Sequence, residues 1–242
     1  MNKPNYGFDA PDVVRRFLLF GGVMFLAGAT AVFISNRFPI ARWFGGPFLG
    51  IGCSFLGTSA IMVWGSKVGK LRLRDKYIAS LSLKGNERVL DVGCGHGLML
   101  LGAAKKLMTG RAAGVDLWQT EDQAGNSREA TLQNAQFEGV KERVELHDGD
   151  AQQMPFEKES FDVILSSWAL HNIYDAAGRR RALEEIVRVL KPGGRLLIAD
   201  IRHAREYANV FRELRMTEVN VSGPTFTFVI PSRCVTARKR GS

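Results

Sequence analysis

Metal and disulfide chemistry have little to work with in this chain. Its 242 residues include three cysteines and four histidines. Cys53, Cys94 and Cys234 lie far apart, with no Cys-x-x-Cys or Cys/His spacing. No metal site and no disulfide framework is therefore expected, and the thiols fit a reducing compartment. Internal repeats and low-complexity segments are also missing, which excludes a solenoid or a disordered chain. Acidic residues are the scarcer charge, 24 against 33 Lys and Arg, for a net charge of +9. That balance invites a nucleic-acid reading. Much of the excess, however, sits in residues 67–88 and 233–240, and no nucleic-acid-binding module is visible, so anionic lipid is the preferred partner of the first cluster and no nucleic acid is expected.

Charge is absent altogether from residues 17–35 and 43–66. Each run is long enough to cross a hydrocarbon core of roughly 30 Å as a helix. Two other readings exist: a pair of buried core helices, or a cleaved secretory signal with Arg15-Arg16 as its basic start and Ala29-Thr30-Ala31 as its cleavage site. The second run follows almost at once, and the rest of the chain reads as an intracellular domain. A membrane hairpin is therefore expected in residues 1–66, with spans at about 15–35 and 46–65. A basic lead-in helix should occupy 67–84, and a catalytic domain 85–242. Lys3, Arg15, Arg16, Lys67, Lys70, Arg72, Arg74 and Lys76 flank the hairpin, against Arg37 and Arg42 in its turn. The positive-inside bias then puts both termini and the domain on the cytoplasmic side, with Trp43 and Trp64 at the headgroups. Gly46, Gly50, Gly52 and Gly57 would admit close helix contact, within the hairpin or in a homodimer.

From Glu87 onward, apolar runs alternate with amphipathic ones. Strands are expected at 87–93, 111–117, 144–150, 161–168 and 195–201. The helices between them fall at 96–107, 123–138 and 179–190, the last stopped by Lys191-Pro192-Gly193-Gly194. A further helix is expected at 204–214, and two late strands at 217–221 and 233–238. This is an α/β fold: a doubly wound, mostly parallel seven-stranded sheet with an antiparallel C-terminal edge hairpin. Ligands of such sheets sit at the carboxyl ends of the strands. Asp91, Asp116, Asp150, Ser166 to Trp168 and Asp200 all fall there.

The segment Val89-Leu-Asp-Val-Gly-Cys-Gly-His-Gly97 reads as strand, tight turn and helix start, with Gly93, Gly95 and Gly97 letting a ligand approach the backbone. Asp91 beside those glycines argues against a pyrophosphate, which prefers a helix N-terminus free of acids. An adenosine unit bearing a sulfonium amino acid fits better. Asp116 would hold ribose hydroxyls, Asp150 and Ala151 the adenine, and Asp91 and Ser166 the amino-acid end.

Asp91-Val-Gly-Cys-Gly-His-Gly97, Gly114-Val-Asp116, Gly149-Asp150-Ala151 and Val189-Leu-Lys-Pro-Gly-Gly194 resemble, in order and spacing, the motif series of class I S-adenosylmethionine-dependent methyltransferases. The likeness runs from about Tyr77 to Arg238 and is greatest to the ubiquinone/menaquinone-methylase-like group. It implies S-adenosyl-L-methionine as cofactor, held by Tyr77, Asp91, Gly93, Cys94, Gly95, Gly97, Asp116, Leu117, Asp150, Ala151 and Ser166, with Cys94 a small filler of the turn and not a nucleophile. The signatures that mark quinone methylases beyond the cofactor motifs are not evident.

Methyl transfer to a nucleophile is an in-line displacement, and a base is required only where the acceptor must lose a proton. His171, in Ser-Ser-Trp-Ala-Leu-His-Asn, is the candidate base. His96, Trp168, Asn172, Tyr174 and Arg202 are candidate acceptor contacts, and Trp118 a cover for adenine. Asp200 would hold Arg202 or a loop amide, or touch the acceptor. A tether raises the local concentration of bilayer-dissolved molecules, so a small hydrophobic or lipid-soluble acceptor is expected. The segment 224–231 offers such a molecule an apolar wall. The competing readings are a tethered protein or nucleic-acid methyltransferase, which would be favoured by an Asn/Asp-Pro-Pro-Tyr motif that residues 166–171 lack, and a non-catalytic scaffold that binds the cofactor.

Overall fold

A computed structural model describes residues 3–119, 125–227 and 230–241. The chain divides into two compact units: Phe8–Lys70, and the residues up to Gly7 together with those from Leu71 onward.

The first unit is a helical hairpin, α1 (Pro11–Ile34) and α2 (Arg42–Trp64), which closes with a π-helical turn at Gly65–Gly69. Both helices are long and apolar enough to cross a membrane. They begin and end earlier than expected, because Pro11 opens α1 and Pro47 is accommodated inside α2. Glycine sets their separation. A Cβ on Gly28 would lie 2.6 Å from the Leu49 nitrogen, and one on Gly52 would lie 2.6 Å from the Phe25 nitrogen. The glycines thus divide by face: Gly45 and Gly52 serve the hairpin, whereas Cβ atoms on Gly46, Gly50 and Gly57 would meet nothing within 4 Å. Phe55 stacks edge-on against Phe17 and Phe20 at 5.0 and 4.8 Å. Leu19, Val23, Leu26, Phe33 and Trp43 are exposed, so much of the hairpin's apolar surface faces outward. At its open end Asp9 accepts from Lys70 Nζ at 3.1 Å, and its backbone N–H donates to Ser66 Oγ.

In the second unit seven strands form one sheet: β1 (Arg88–Val92), β2 (Arg111–Asp116), β3 (Val144–Asp148), β4 (Phe161–Ser167), β5 (Leu190–Asp200), β6 (Thr217–Val221) and β7 (Arg233–Arg238). Their order is β3-β2-β1-β4-β5-β7-β6. The first five are parallel, while β7 runs antiparallel to β5 and to β6. The doubly wound sheet and its antiparallel edge therefore stand as expected. α3 (Lys70–Ser80), α4 (Leu98–Ala104) and α5 (Arg128–Phe137) alternate with the first strands, followed by α6 (Ala176–Val189) and α7 (Ala204–Glu213). One core packs under α3 to α5 through Ile78, Leu100, Leu101 and Ala135, and the other under α6 and α7 through Leu183, Ile186, Tyr207 and Phe211.

Several boundaries differ from the sequence reading. The lead-in helix stops at Ser80, since Ser82 adopts φ +46° before Gly85-Asn86 is reached. The first crossover helix starts at Leu98, after Gly97 has taken φ +84°. α5 starts behind Ser127, whose hydroxyl accepts from the Ala130 N–H at 3.1 Å, and part of its expected first turn lies outside the described residues. Leu190 does not end a helix. It opens β5 opposite Phe161, and the Pro-Gly-Gly run forms an irregularity before Arg195 regains register with Val163. Residues 3–7 were expected to belong to the anchor, but they pack on the second unit instead. Asn134 Nδ2 donates to the Asn5 carbonyl and the Asn5 N–H donates to Asn134 Oδ1, both at 2.8 Å, while the Tyr6 hydroxyl donates to Glu138.

Candidate active site

The sheet reverses its strand order between β1 and β4, and the polar residues converge on the carboxyl side of that reversal. Asp91 is the fourth residue of β1, between Gly114 and Leu165 in register. It is 1% exposed, and its Oδ2 accepts from the Leu100 N–H at 2.8 Å in the first turn of α4. Its Oδ1 has no hydrogen-bond partner among the described residues. Burial above all, then the charge of Asp116, pushes this carboxyl up to about 8.

The turn after β1 passes through Gly93, Gly95 and Gly97 at φ +70°, +49° and +84°. At Gly93 the conformation is doubly required, because a Cβ there would stand 2.2 Å from the Ala169 Cβ. The Gly95 N–H donates to Asp116 Oδ2 at 2.8 Å and its carbonyl accepts from Thr131, so β2 and α5 both hold the turn. Asp116 Oδ1 accepts from the Trp118 N–H at 2.7 Å and from Asn126 Nδ2 at 3.2 Å. The Trp118 indole N–H donates to Asp148, which lies opposite Asp116 on β3. Further along the rim, Asp150 accepts from the Gln152 N–H at 2.8 Å, Ala151 is half-buried against the core, and Leu117 is exposed. Ser166, inside β4, is fully buried with an unpartnered hydroxyl.

On the other side of the reversal, His171 Nδ1 stands 2.7 Å from Asp200 Oδ1. Asp200 is 1% exposed. It also accepts from the backbone N–H groups of His171 and Ile201 and from the Tyr207 hydroxyl. Arg179, buried in α6, pairs with Glu206 and donates to the carbonyls of Ile173 and Tyr174, fixing the segment that carries His171.

Asp91, the three glycines, Asp116, Asp150 and Ser166 are thus gathered on one rim with His171. Asp200 holds a loop amide, the His171 N–H, and lies beside the His171 ring. Other candidates stand differently. The Cys94 side chain is in the core against Gly114, and burial pushes its thiol well up, which suits a filler and removes the thiol from the site. His96 is buried, with Nδ1 3.1 Å from the Asn5 carbonyl. Tyr77 is buried near Thr225 and Ser232 at the start of β7, and burial raises its hydroxyl. Trp168 sits at φ +56° with its N–H on the Ala199 carbonyl; Asn172 is half-buried, while Tyr174 and Arg202 are exposed. Of the segment 224–231, Phe226 and Ile230 are exposed, and Phe228 and Val229 lie outside the described residues. Sequence reasoning missed Asn126, 6% exposed with an unpartnered Oδ1 beside Asp116; a polar residue ten positions past the second-strand acid carries no motif.

The arrangement fits S-adenosylmethionine. A glycine cradle that a Cβ would fill lies beside a carboxylate oxygen, a serine hydroxyl and an asparagine oxygen, all buried and unpartnered. Buried polar groups are normally satisfied, so these three mark where a polar ligand belongs.

Comparison with known proteins agrees. The methyltransferase domain family matches residues 90–198. The demethylmenaquinone methyltransferase of Symbiobacterium thermophilum is 35% identical over 123 residues, covering 50% of this chain and 45% of that protein. The chloroplastic 2-phytyl-1,4-beta-naphthoquinone methyltransferase of Arabidopsis thaliana is 33% identical over 145 residues, 60% of this chain and 52% of that one. The chain spans about half the length of the curated relatives it matches. Among solved structures, the [4+2]-cyclase SpnF superposes with a TM-score of 0.59 at 22% identity, covering 71% of this chain and 81% of that one, a likeness of fold. The likeness over residues 90–198 is to a methyltransferase domain.

Proposed function

We propose that this chain is a membrane-anchored S-adenosylmethionine-dependent methyltransferase acting on a small hydrophobic or lipid-soluble acceptor. The observation that carries the reading is the unpartnered Asp91 Oδ1 and Ser166 hydroxyl beside the Gly93–Gly97 cradle. The bound cofactor supplies a methyl group on a positively charged sulfur. Asp91 holds the cationic amino-acid end, with Ser166 beside it. Asp116, with Asn126, holds the ribose hydroxyls, while Asp150, Ala151 and Leu117 border the adenine. His171 and Trp168 border the acceptor, and the buried walls of β1 and β4 exclude water, so that much of the catalysis is positioning.

Two outward-facing apolar helices in the same chain support the lipid-soluble acceptor, as do relatives named for demethylmenaquinone and phytyl-naphthoquinone. The basic residues flanking the hairpin support a cytoplasmic domain with both termini on that side. The outward Gly46, Gly50 and Gly57 leave a homodimer contact open to the same helix.

Calorimetry with S-adenosylhomocysteine tests the core of the reading: binding is expected, and Asp116→Ala should weaken it at least tenfold (about 1.4 kcal/mol). Absence of binding to the wild type would remove it. Membranes incubated with methyl-labelled donor should yield label in the organic phase, and label confined to protein or nucleic acid would defeat the acceptor class. Protease added outside intact cells should spare the domain.

A further inference from the structure

We propose that the second unit docks on the surface of an anionic bilayer through one corner of its carboxyl rim, built from Tyr174, Arg202, Arg205, Phe226 and Ile230. This rests on the membrane-anchored reading and adds to it the face that meets lipid.

Outside the hairpin, the exposed large apolar side chains among the described residues are Met108, Leu117, Phe137, Tyr174, Phe226 and Ile230. Met108 and Phe137 precede β2 and β3, at the amino edge of the sheet, and Leu117 follows β2 beside the proposed adenine contacts. The other three gather in one place. Tyr174, 94% exposed, lies in the connection that leaves the carboxyl end of β4. Its carbonyl accepts from Arg179, which pairs with Glu206 in the first turn of α7, so it stands beside the β5–α7 connection. Phe226 and Ile230 lie between β6 and β7. That connection emerges at the same edge, because Arg233, first in β7, is in register with Asp200, last in β5. Thr225 and Ser232 exchange backbone hydrogen bonds at 2.8 and 3.0 Å, so Phe226 and Ile230 are presented beyond a paired base.

Charge at this corner has one sign. Residues 201–205 and 222–233 contain Arg202, Arg205 and Arg233 and no acid. Arg202 and Arg205 are exposed, while Glu206, the next acid in sequence, is taken by Arg179 and His203, and Asp200 is buried. The far end of the rim differs, since Asp148 on β3 is exposed there. Aromatic and aliphatic side chains among arginines, with no acid between them, suit a lipid–water interface: the apolar groups enter the acyl boundary and the guanidinium groups stay with anionic headgroups. A second copy seated on this corner would bring like charges face to face. The hairpin of the same chain keeps a bilayer within reach, so even a contact too weak to hold a free domain is occupied. His171 is carried by the same connection as Tyr174, so docking here opens the acceptor side of the site to lipid.

The full chain in nanodiscs tests this. In a Cys53→Ala background, where Cys94 and Cys234 are buried, Phe226→Cys, Ile230→Cys and Met108→Cys each carry a bimane fluorophore. In discs of phosphatidylglycerol and phosphatidylcholine, brominated acyl chains should quench the fluorophore at 226 and at 230 about twofold or more and leave that at 108 nearly unchanged. Omitting phosphatidylglycerol, raising salt, or combining Arg202→Glu with Arg205→Glu should each weaken the quenching. Equal emission in brominated and plain discs at both 226 and 230, or equal quenching at 108, overturns the docking. So does emission at 226 that follows the number of copies per disc and not bromination, which would give the corner to a second copy. In these cases a chain that still enters discs and binds S-adenosylhomocysteine leaves the anchored methyltransferase reading standing. A chain that fails to enter discs removes the anchor, and the docking with it.

Discussion

The side-chain amide of Asn134 holds the backbone of Asn5 by both its polar groups, N–H and carbonyl, across 129 positions of sequence. The same Nδ2 donates to the His96 carbonyl at 2.9 Å, so the segment 3–7 is tied to the glycine turn through one residue. Asn134 is 3% exposed. Asn134→Ala should therefore cost about 1–3 kcal/mol of stability by leaving buried backbone groups unpaired. Hydrogen exchange should rise at residues 3–7 and 93–97 together. Faster exchange at the first segment alone would show that the two are uncoupled.

Asp91 gives the site a pH signature. In the unfolded chain its carboxyl titrates near ~3.9, in the folded chain at about 8. Between those values the folded protein keeps a proton that the unfolded chain has released, so this residue makes stability fall as pH rises across that window. Asp91→Asn should raise stability at pH 7 by about 1–4 kcal/mol while S-adenosylhomocysteine binding is lost. In the wild type, binding a cationic amino-acid end requires the ionised carboxylate. Affinity should therefore climb from pH 6 to 8, with a proton released that calorimetry in buffers of different ionisation heat can count. A flat profile would remove Asp91 from the ammonium contact.

Gly93→Ala tests the cradle. The new methyl would meet Ala169 at 2.2 Å in a backbone conformation of φ +70°. A loss of about 2 kcal/mol or more is expected, together with loss of cofactor binding. Adding Ala169→Gly should recover part of the stability, the steric share, and leave the backbone share unrecovered.

The hairpin allows a paired contrast. Gly52→Val would drive side-chain atoms into the Phe25 backbone, whereas Gly50→Val meets open space. Cysteine cross-linking between α1 and α2 in membranes should fail in the first variant and persist in the second. If Gly50→Val instead abolishes a cross-linked dimer, the outward glycine face is an interface. Carbonate extraction should leave the wild type in the pellet.

Parallel strands such as β2, β4 and the last part of β5 were legible as short apolar runs ending in Asp or Ser, and the motif spacing placed Asp91, Asp116 and Asp150 on one rim. The His171–Asp200 pair was legible only as two separate rim residues. Their meeting depends on β4 and β5 being neighbours and on Arg179 holding the connecting segment, which no local pattern encodes. The attachment of residues 3–7 left no trace at all, as five residues (Lys-Pro-Asn-Tyr-Gly) are too few to carry a periodicity and their partners lie far along the chain. The face assignment of the glycines in α2 was equally hidden: Gly50 and Gly52 differ only by their angle around a helix.

That attachment also orders events in time. Residues 3–7 leave the ribosome well before their holder, Asn134, which is made about 130 positions later. At roughly 5–20 residues per second, they wait on the order of ten seconds with nothing to dock on, while the apolar hairpin between them emerges and must find its own environment. Docking of residues 3–7 on the second unit is thus a late step of biosynthesis, and it can succeed only if the hairpin has not already carried them away.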